Sequence, residues 1–193
     1  MIWIASALIV LVVLFRVIAG TQEGVMNFAP VMALAFCGGI YLRGVYRWLI
    51  PLGALFMSDL ILNYHHGVGW IEPFMVATYA CYAVAVAVGM WIGDRKSFGS
   101  ILGGVFGNAL LFYLVTNTVA WWANPGYVKT LAGWVQALTV GIPGLPPTYL
   151  FFRNSLLSDL VFTVGFVLCM ELSARMSGRP SLFPRQEPES IQI

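Results

Sequence analysis

The sequence predicts an all-α membrane protein: a compact bundle of six transmembrane helices with an interfacial segment between the fifth and the sixth. Three observations carry this prediction. Hydrophobic residues make up 60% of the chain and charged residues only 9%, whereas a soluble globule carries roughly 25% charged residues. The apolar residues gather into six runs, each near the roughly 20 residues that a helix needs to cross about 30 Å of hydrocarbon. The basic residues fall in alternate connections between those runs.

The runs cover residues 2–19, 28–42, 46–64, 70–92, 98–122 and 150–173. The first ends in Val17-Ile18-Ala19, which resembles a signal-peptidase site, but it has no basic n-region and its one cation, Arg16, lies near its end, so it is expected to stay as a helix. Arg16 is expected to snorkel to the interface. The second and third runs are short and joined by little more than a turn, which suits a tilted hairpin or a thinned bilayer. Arg43 and Arg47 join them, Arg95 and Lys96 join the fourth to the fifth, and Arg175, Arg179 and Arg185 follow the sixth. Six crossings put all of these on one side, which predicts an inner (plasma) membrane protein with both termini cytoplasmic.

On the opposite side, residues 123–149 start at Asn124-Pro125-Gly126, pass through an apolar stretch from Val128 to Val140 and end in Gly141-Ile142-Pro143-Gly144-Leu145-Pro146-Pro147. With Trp121, Trp122, Tyr127, Trp134 and Tyr149 around it, the stretch reads as a short interfacial helix, either a lid or a plain connector. Residues 175–193, rich in Gly, Pro, Ser, Gln and Glu, read as an exposed, poorly ordered cytoplasmic tail.

Small residues recur every fourth position at Gly99, Gly103 and Gly107, at Ala29, Ala33 and Cys37, and at Cys81, Ala85 and Gly89, stripes that mark helix contacts either within the bundle, which is the expectation, or with a partner subunit. The three cysteines lie in apolar runs without metal-type spacing and read as small buried residues. The net charge of +2 is too small and scattered for nucleic acid. No nucleophile elbow, zinc-protease helix or phosphate loop is present. Two membrane aspartates invite comparison with intramembrane aspartyl proteases, but the glycines that precede such an acid are replaced here by Phe56-Met57-Ser58 and Leu156-Leu157-Ser158. The expectation is a protein that is not an enzyme and that uses no cofactor and no metal; His65-His66 and Glu72 read as loop residues.

The two repeated Ser-Asp-Leu elements, Ser58-Asp59-Leu60 and Ser158-Asp159-Leu160, carry the functional reading. An Asp inside a membrane helix costs several kcal/mol unless a partner or water-filled cavity receives it. At a rise of 1.5 Å per residue, Asp59, Asp159 and Asn117 come to one level in the outer half of the bundle. Asn27, Asn63 and Asn154 sit just above, and Asn108 nearer the middle. Asn154 and Ser158 are four apart, as are Ser155 and Asp159, so these four cover one broad helix face. The functional reading is a polar pocket of Asp59, Asp159, Ser158, Asn154, Asn117, Asn27, Asn63 and Arg153. The structural alternative is interhelical hydrogen bonding, with an aspartate neutral or paired to Arg153. Glu171, near the inner end of the last run, is expected to snorkel or to pair with Arg175.

The segments Asn27 to Gly39, Pro51 to Asp59 and Arg153 to Phe162, with their N-F-x-P and S-D-L elements, resemble an uncharacterised family of bacterial transport-type proteins that is similar to the substrate-binding S components of energy-coupling factor (ECF) transporters. The likeness covers residues 25–172. It implies a six-helix bundle with a ligand pocket near the outer surface, a small vitamin- or micronutrient-like substrate, and, as partners besides the lipid bilayer, a transmembrane coupling subunit and ATPases. S components dock through an A-x-x-x-A face on the first helix; here that helix offers only Ala5-Ser6-Ala7, and the pair Ala29 and Ala33 falls on the second. A non-transporting accessory subunit of a larger membrane complex is the second reading.

Overall fold

In hydrocarbon every backbone N–H and C=O must be satisfied inside its own segment or by a closed barrel, so a chain of long apolar runs folds as helices. The computed structural model describes residues 2–21, 30–71, 74–93, 95–178 and 181–182, with α1 side chains described at Ala7 and from Val10 onward. Among these residues there are seven helices and no strand: α1 (Ile2–Gly20), α2 (Val31–Tyr41), α3 (Tyr46–His66), α4 (Phe74–Gly93), α5 (Phe98–Ala123), α6 (Leu131–Leu138) and α7 (Thr148–Met176). Three of them, α4, α5 and α7, are long and apolar enough by themselves to cross a membrane.

The remaining runs take other forms. The expected span 28–42 becomes the 11-residue α2, about 16 Å long and too short for a 30 Å core. It is instead the axis of the bundle. All nine residues from Val31 to Gly39 are buried, and α1, α3, α4, α5 and α7 all pack on it. A helix buried on every side needs no polar stripe, and its sequence has none. α3 has the length of a span, but Arg47, Asp59, Asn63, His65 and His66 dilute its apolar character.

Contacts fix the helix directions. Leu62 meets Gly20 where Asp59 meets Arg16, so α3 runs with α1. Gly39 meets Gly89 where Ile40 meets Gly93, so α4 runs with α2. The ring pair Tyr82–Phe112 and the contact of Ile92 with Gly104 make α5 antiparallel to α4. α7 runs with α2, because Ala33 lies at Asp159 and Tyr41 at Glu171. The turn at residues 42–45 reverses the chain between α2 and α3. Hence α1, α3 and α5 run one way and α2, α4 and α7 the other.

The glycine stripes divide in two. Between α2 and α4 the backbones touch: a Cβ on Gly39 would lie 2.3 Å from Val86 O, and one on Gly89 would lie 2.2 Å from Phe36 O. The α5 stripe does not seat an internal helix as expected. A Cβ at Gly99, Gly103 or Gly107 would meet nothing within 4 Å, whereas Gly104, one residue and about 100° further round, faces Phe36 and Ile92. Spacing gives a stripe but not its phase. The cysteine expectation is corrected in the same way, since Cys37 and Cys81 are buried and Cys169 is exposed.

The predicted interfacial helix is α6. Thr130 caps it by accepting from the Gly133 N–H. Trp134 Nε1 donates to Thr118 Oγ1 at 2.9 Å, and Trp121 Nε1 donates to Val128 O at 3.0 Å, which pins α6 and its leading loop to α5. The described residues past Arg175 are few. α7 runs to Met176, Gly178 turns with φ 70°, and Leu182 returns against the core. Residues 183–193 lie outside the described residues.

Candidate functional site: two interior charge centres and an unpaired aspartate

The first charge centre lies between α1, α3 and α4. Arg16 Nη2 donates to Asp59 Oδ1 at 2.5 Å, and Nη1 donates to Ser58 Oγ. Tyr79 Oη donates to Asp59 Oδ2 at 2.8 Å, so both carboxylate oxygens are taken. Ser58 bonds in turn to the carbonyls of Ala54 and Leu55, as a hydroxyl does inside an apolar helix. Arg16 therefore does not snorkel. A cation one helix away from a buried carboxylate lowers the cost of both charges more than the interface would.

The second centre closes the end of the bundle where α2, α4 and α7 finish. Glu171 is fully buried. Its Oε1 accepts from Lys96 Nζ and, at 2.7 Å, from Tyr41 Oη, while Oε2 accepts from the Leu182 N–H at 2.7 Å. Lys96 also lies 4.8 Å from the centroid of the Tyr41 ring. Glu171 thus pairs with Lys96 and not with Arg175, and it does not reach the interface. Position 171 faces α2, whereas Arg175 is exposed.

Asp159 is 3% exposed and has no cationic partner among the described residues. The Ala33 N–H donates to its carboxylate. Ala33 is in the first turn of α2, whose N-cap Pro30 offers no side-chain bond. The acid from α7 therefore satisfies a donor that α2 leaves open, at the end of the helix where a negative charge is favoured. The second oxygen, Oδ1, has no hydrogen-bond partner, and neither do Ser158 Oγ, Thr163 Oγ1 and Asn108 Nδ2, all buried.

Tyr82, one turn beyond Tyr79 on α4, lies within electrostatic range of Arg16, Asp59 and Asp159 alike. The other predicted residues are more peripheral. Asn117 is half-buried and donates to Tyr113 O at 2.8 Å on its own helix; Asn63, also half-buried, donates to Trp70 O at 3.3 Å. Arg153 is exposed and donates to Asn154 Oδ1, so neither aspartate pairs with it. Asn154 is half-buried at the head of α7, and Asn27 lies outside the described residues. His65 and His66 are exposed, edge to face.

Sequence reasoning missed Arg16, Tyr79 and Tyr82 as members of the site. The signal was there in Arg16, the only cation of the first run, and in two tyrosines three apart within the fourth. An apolar groove of about 240 Å³ opens separately between α1, α2 and α7, lined by Leu11, Val12, Leu34, Phe162, Gly165 and Phe166 among others; none of the predicted polar residues borders it.

An all-helical membrane-type bundle with charges paired inside it defines the class. The chain belongs, over residues 1–182, to a family described as a family of unknown function (DUF6580). No curated protein and no solved structure matches it. The family description names no activity, so the likeness to ECF S components rests on the motifs alone.

Proposed function

We propose that the protein is the substrate-binding membrane component of an uptake system for a small solute, set in the inner membrane with both termini cytoplasmic and the binding face in the outer half of the bundle. The observation that carries this reading is Asp159, buried on α7 with its Oδ1 and the neighbouring Ser158 hydroxyl both without a hydrogen-bond partner among the described residues. Interhelical hydrogen bonding accounts for Asp59, whose oxygens are both taken. It leaves Asp159 Oδ1 and the Ser158 hydroxyl unexplained, and such groups are retained in membrane interiors where they receive something. The solute's donors would meet Asp159 and Ser158, with Asn154 and Asn117 nearer the rim. The alternation of helix directions supports both termini lying on one side, with the short α2 returning the chain inside the bundle. A transmembrane coupling subunit and ATPases would supply the energy, since the chain has no nucleotide motif of its own.

Thermal-shift screening of the purified protein against vitamins, amines and metal ions should reveal a stabilising ligand, because a ligand of the folded state raises its stability. Asp159→Asn should abolish its retention, and Ser158→Ala should weaken it. If both variants keep full binding and uptake, the reading is wrong.

A non-transporting accessory subunit is the second reading, and the outward stripe Gly99, Gly103 and Gly107 favours it, because it offers an open seat for a helix of another chain. Stoichiometric co-purification with a membrane enzyme, lost on Gly103→Leu, would decide for it.

A further inference from the structure

We propose that the α2–α7 seam at Asp159 is a binding site for one small monovalent cation, an alkali ion or a primary ammonium, held by Asp159 Oδ1 and Thr163 Oγ1. Asp159 Oδ1 is a buried oxygen without a hydrogen-bond partner among the described residues, and Thr163 Oγ1, buried against the Cys37 thiol, keeps oxygen lone pairs free for a cation. Asp159 and Thr163 are four residues apart on α7 and so share one face. Their neighbours on α2, Ala33 at Asp159 and Cys37 at Thr163, are four apart as well. The two oxygens therefore lie along a single seam, and the Ala33 N–H holds one carboxylate oxygen so that the other is left to a ligand.

Charge selects the class of ligand. Arg16 neutralises Asp59 and Lys96 neutralises Glu171, so Asp159 is the buried acid left without a cation among the described residues. One positive charge completes the interior, whereas a divalent ion would leave an excess charge in a medium that penalises it heavily. A carboxylate with a hydroxyl suits a hard cation or an ammonium donor and lacks the imidazole and thiolate set that transition metals prefer. The positive end of α2 offsets roughly half a charge, which makes binding weak enough to be reversible.

The inference rests on the reading of Asp159 as a receiving group but does not depend on transport: a cation effect with no uptake leaves it standing, and uptake of a solute with no cation effect overturns it alone. The test is thermal unfolding of the full-length purified protein in lithium, sodium, potassium, ammonium, methylammonium and choline chloride at one ionic strength. At least one small cation should raise the melting temperature saturably relative to choline. Asp159→Asn should abolish the rise, Thr163→Val should raise the half-saturating concentration about tenfold, and Cys169→Ser, a surface change, should leave it intact. The proposal is overturned if no cation differs from choline, if the rise survives in Asp159→Asn, or if stability follows pH in choline with no dependence on the cation. Should Asp159→Asn fail to fold, an unchanged half-saturation in Thr163→Val overturns it alone.

Discussion

Asp59 is the residue whose environment is most completely defined. Arg16 and Tyr79 take its two oxygens, and both members of the ion pair are largely withdrawn from solvent, with side-chain exposures of 15% and 11%. Removing one partner leaves an uncompensated charge, which costs about 3 kcal/mol or more. Arg16→Met should therefore destabilise the protein strongly in detergent melts, and Asp59→Leu likewise. The double variant Arg16→Met/Asp59→Leu should recover most of the loss, because a buried pair replaced by apolar side chains is close to neutral. Additive losses in the double variant would mean that the pair is not coupled. The acids themselves were legible from sequence, since an Asp in an apolar run stands out. Their partners were not, because the choice among Arg16, Arg153 and Lys96 depends on which helices are neighbours.

The helices differ in how they are held. α2 and α4 meet backbone to backbone at Gly39 and Gly89, while the three glycines on the outer face of α5 touch nothing. Bulk is thus permitted at one glycine stripe and forbidden at the other. Gly89→Val should abolish accumulation of folded protein, since its side chain would have to displace the Phe36 carbonyl. Gly103→Leu should leave melting temperature and monomer yield unchanged. Equal tolerance at both positions, measured by size-exclusion profile and thermal unfolding, would show that the α2–α4 contact has been misassigned. The same four-residue spacing produced all three stripes in the sequence, and only the packing assigned each a side. α6 was readable as an element because its apolar stretch and breaker-rich borders are local, but its anchorage through Trp134 and Thr118 is not local.

At the scale of the molecule, the two ion pairs lie at different levels, Arg16–Asp59 toward the end where α1 and α3 finish and α4 starts, and Lys96–Glu171 where α2, α4 and α7 end. The second pair gathers the turn before α5, the end of α2 and the chain after α7, so Glu171→Gln should loosen all three and increase proteolysis beyond Met176. The alternation of helix directions makes a topological prediction. In a Cys169→Ser background, a cysteine at the exposed Leu145 should react with a membrane-impermeant maleimide added to intact cells, and one at the exposed Arg43 only after permeabilisation. Labelling of both from the same side would exclude the proposed topology with cytoplasmic termini.

The amino-acid sequence by itself determined that this is a helical membrane-type chain, where its helices begin and end to within a few residues, and that acids lie inside it. Composition, run length and breaker residues are local quantities, and hydrocarbon leaves an apolar segment little choice but helix. Only the tertiary structure decided that α2 is a short buried axis, that Arg16 neutralises Asp59 and Lys96 neutralises Glu171, and that Asp159 stands at the first turn of α2 with an oxygen to spare. Which charge meets which depends on helix phase and neighbourhood, and no periodicity along a single helix contains that information.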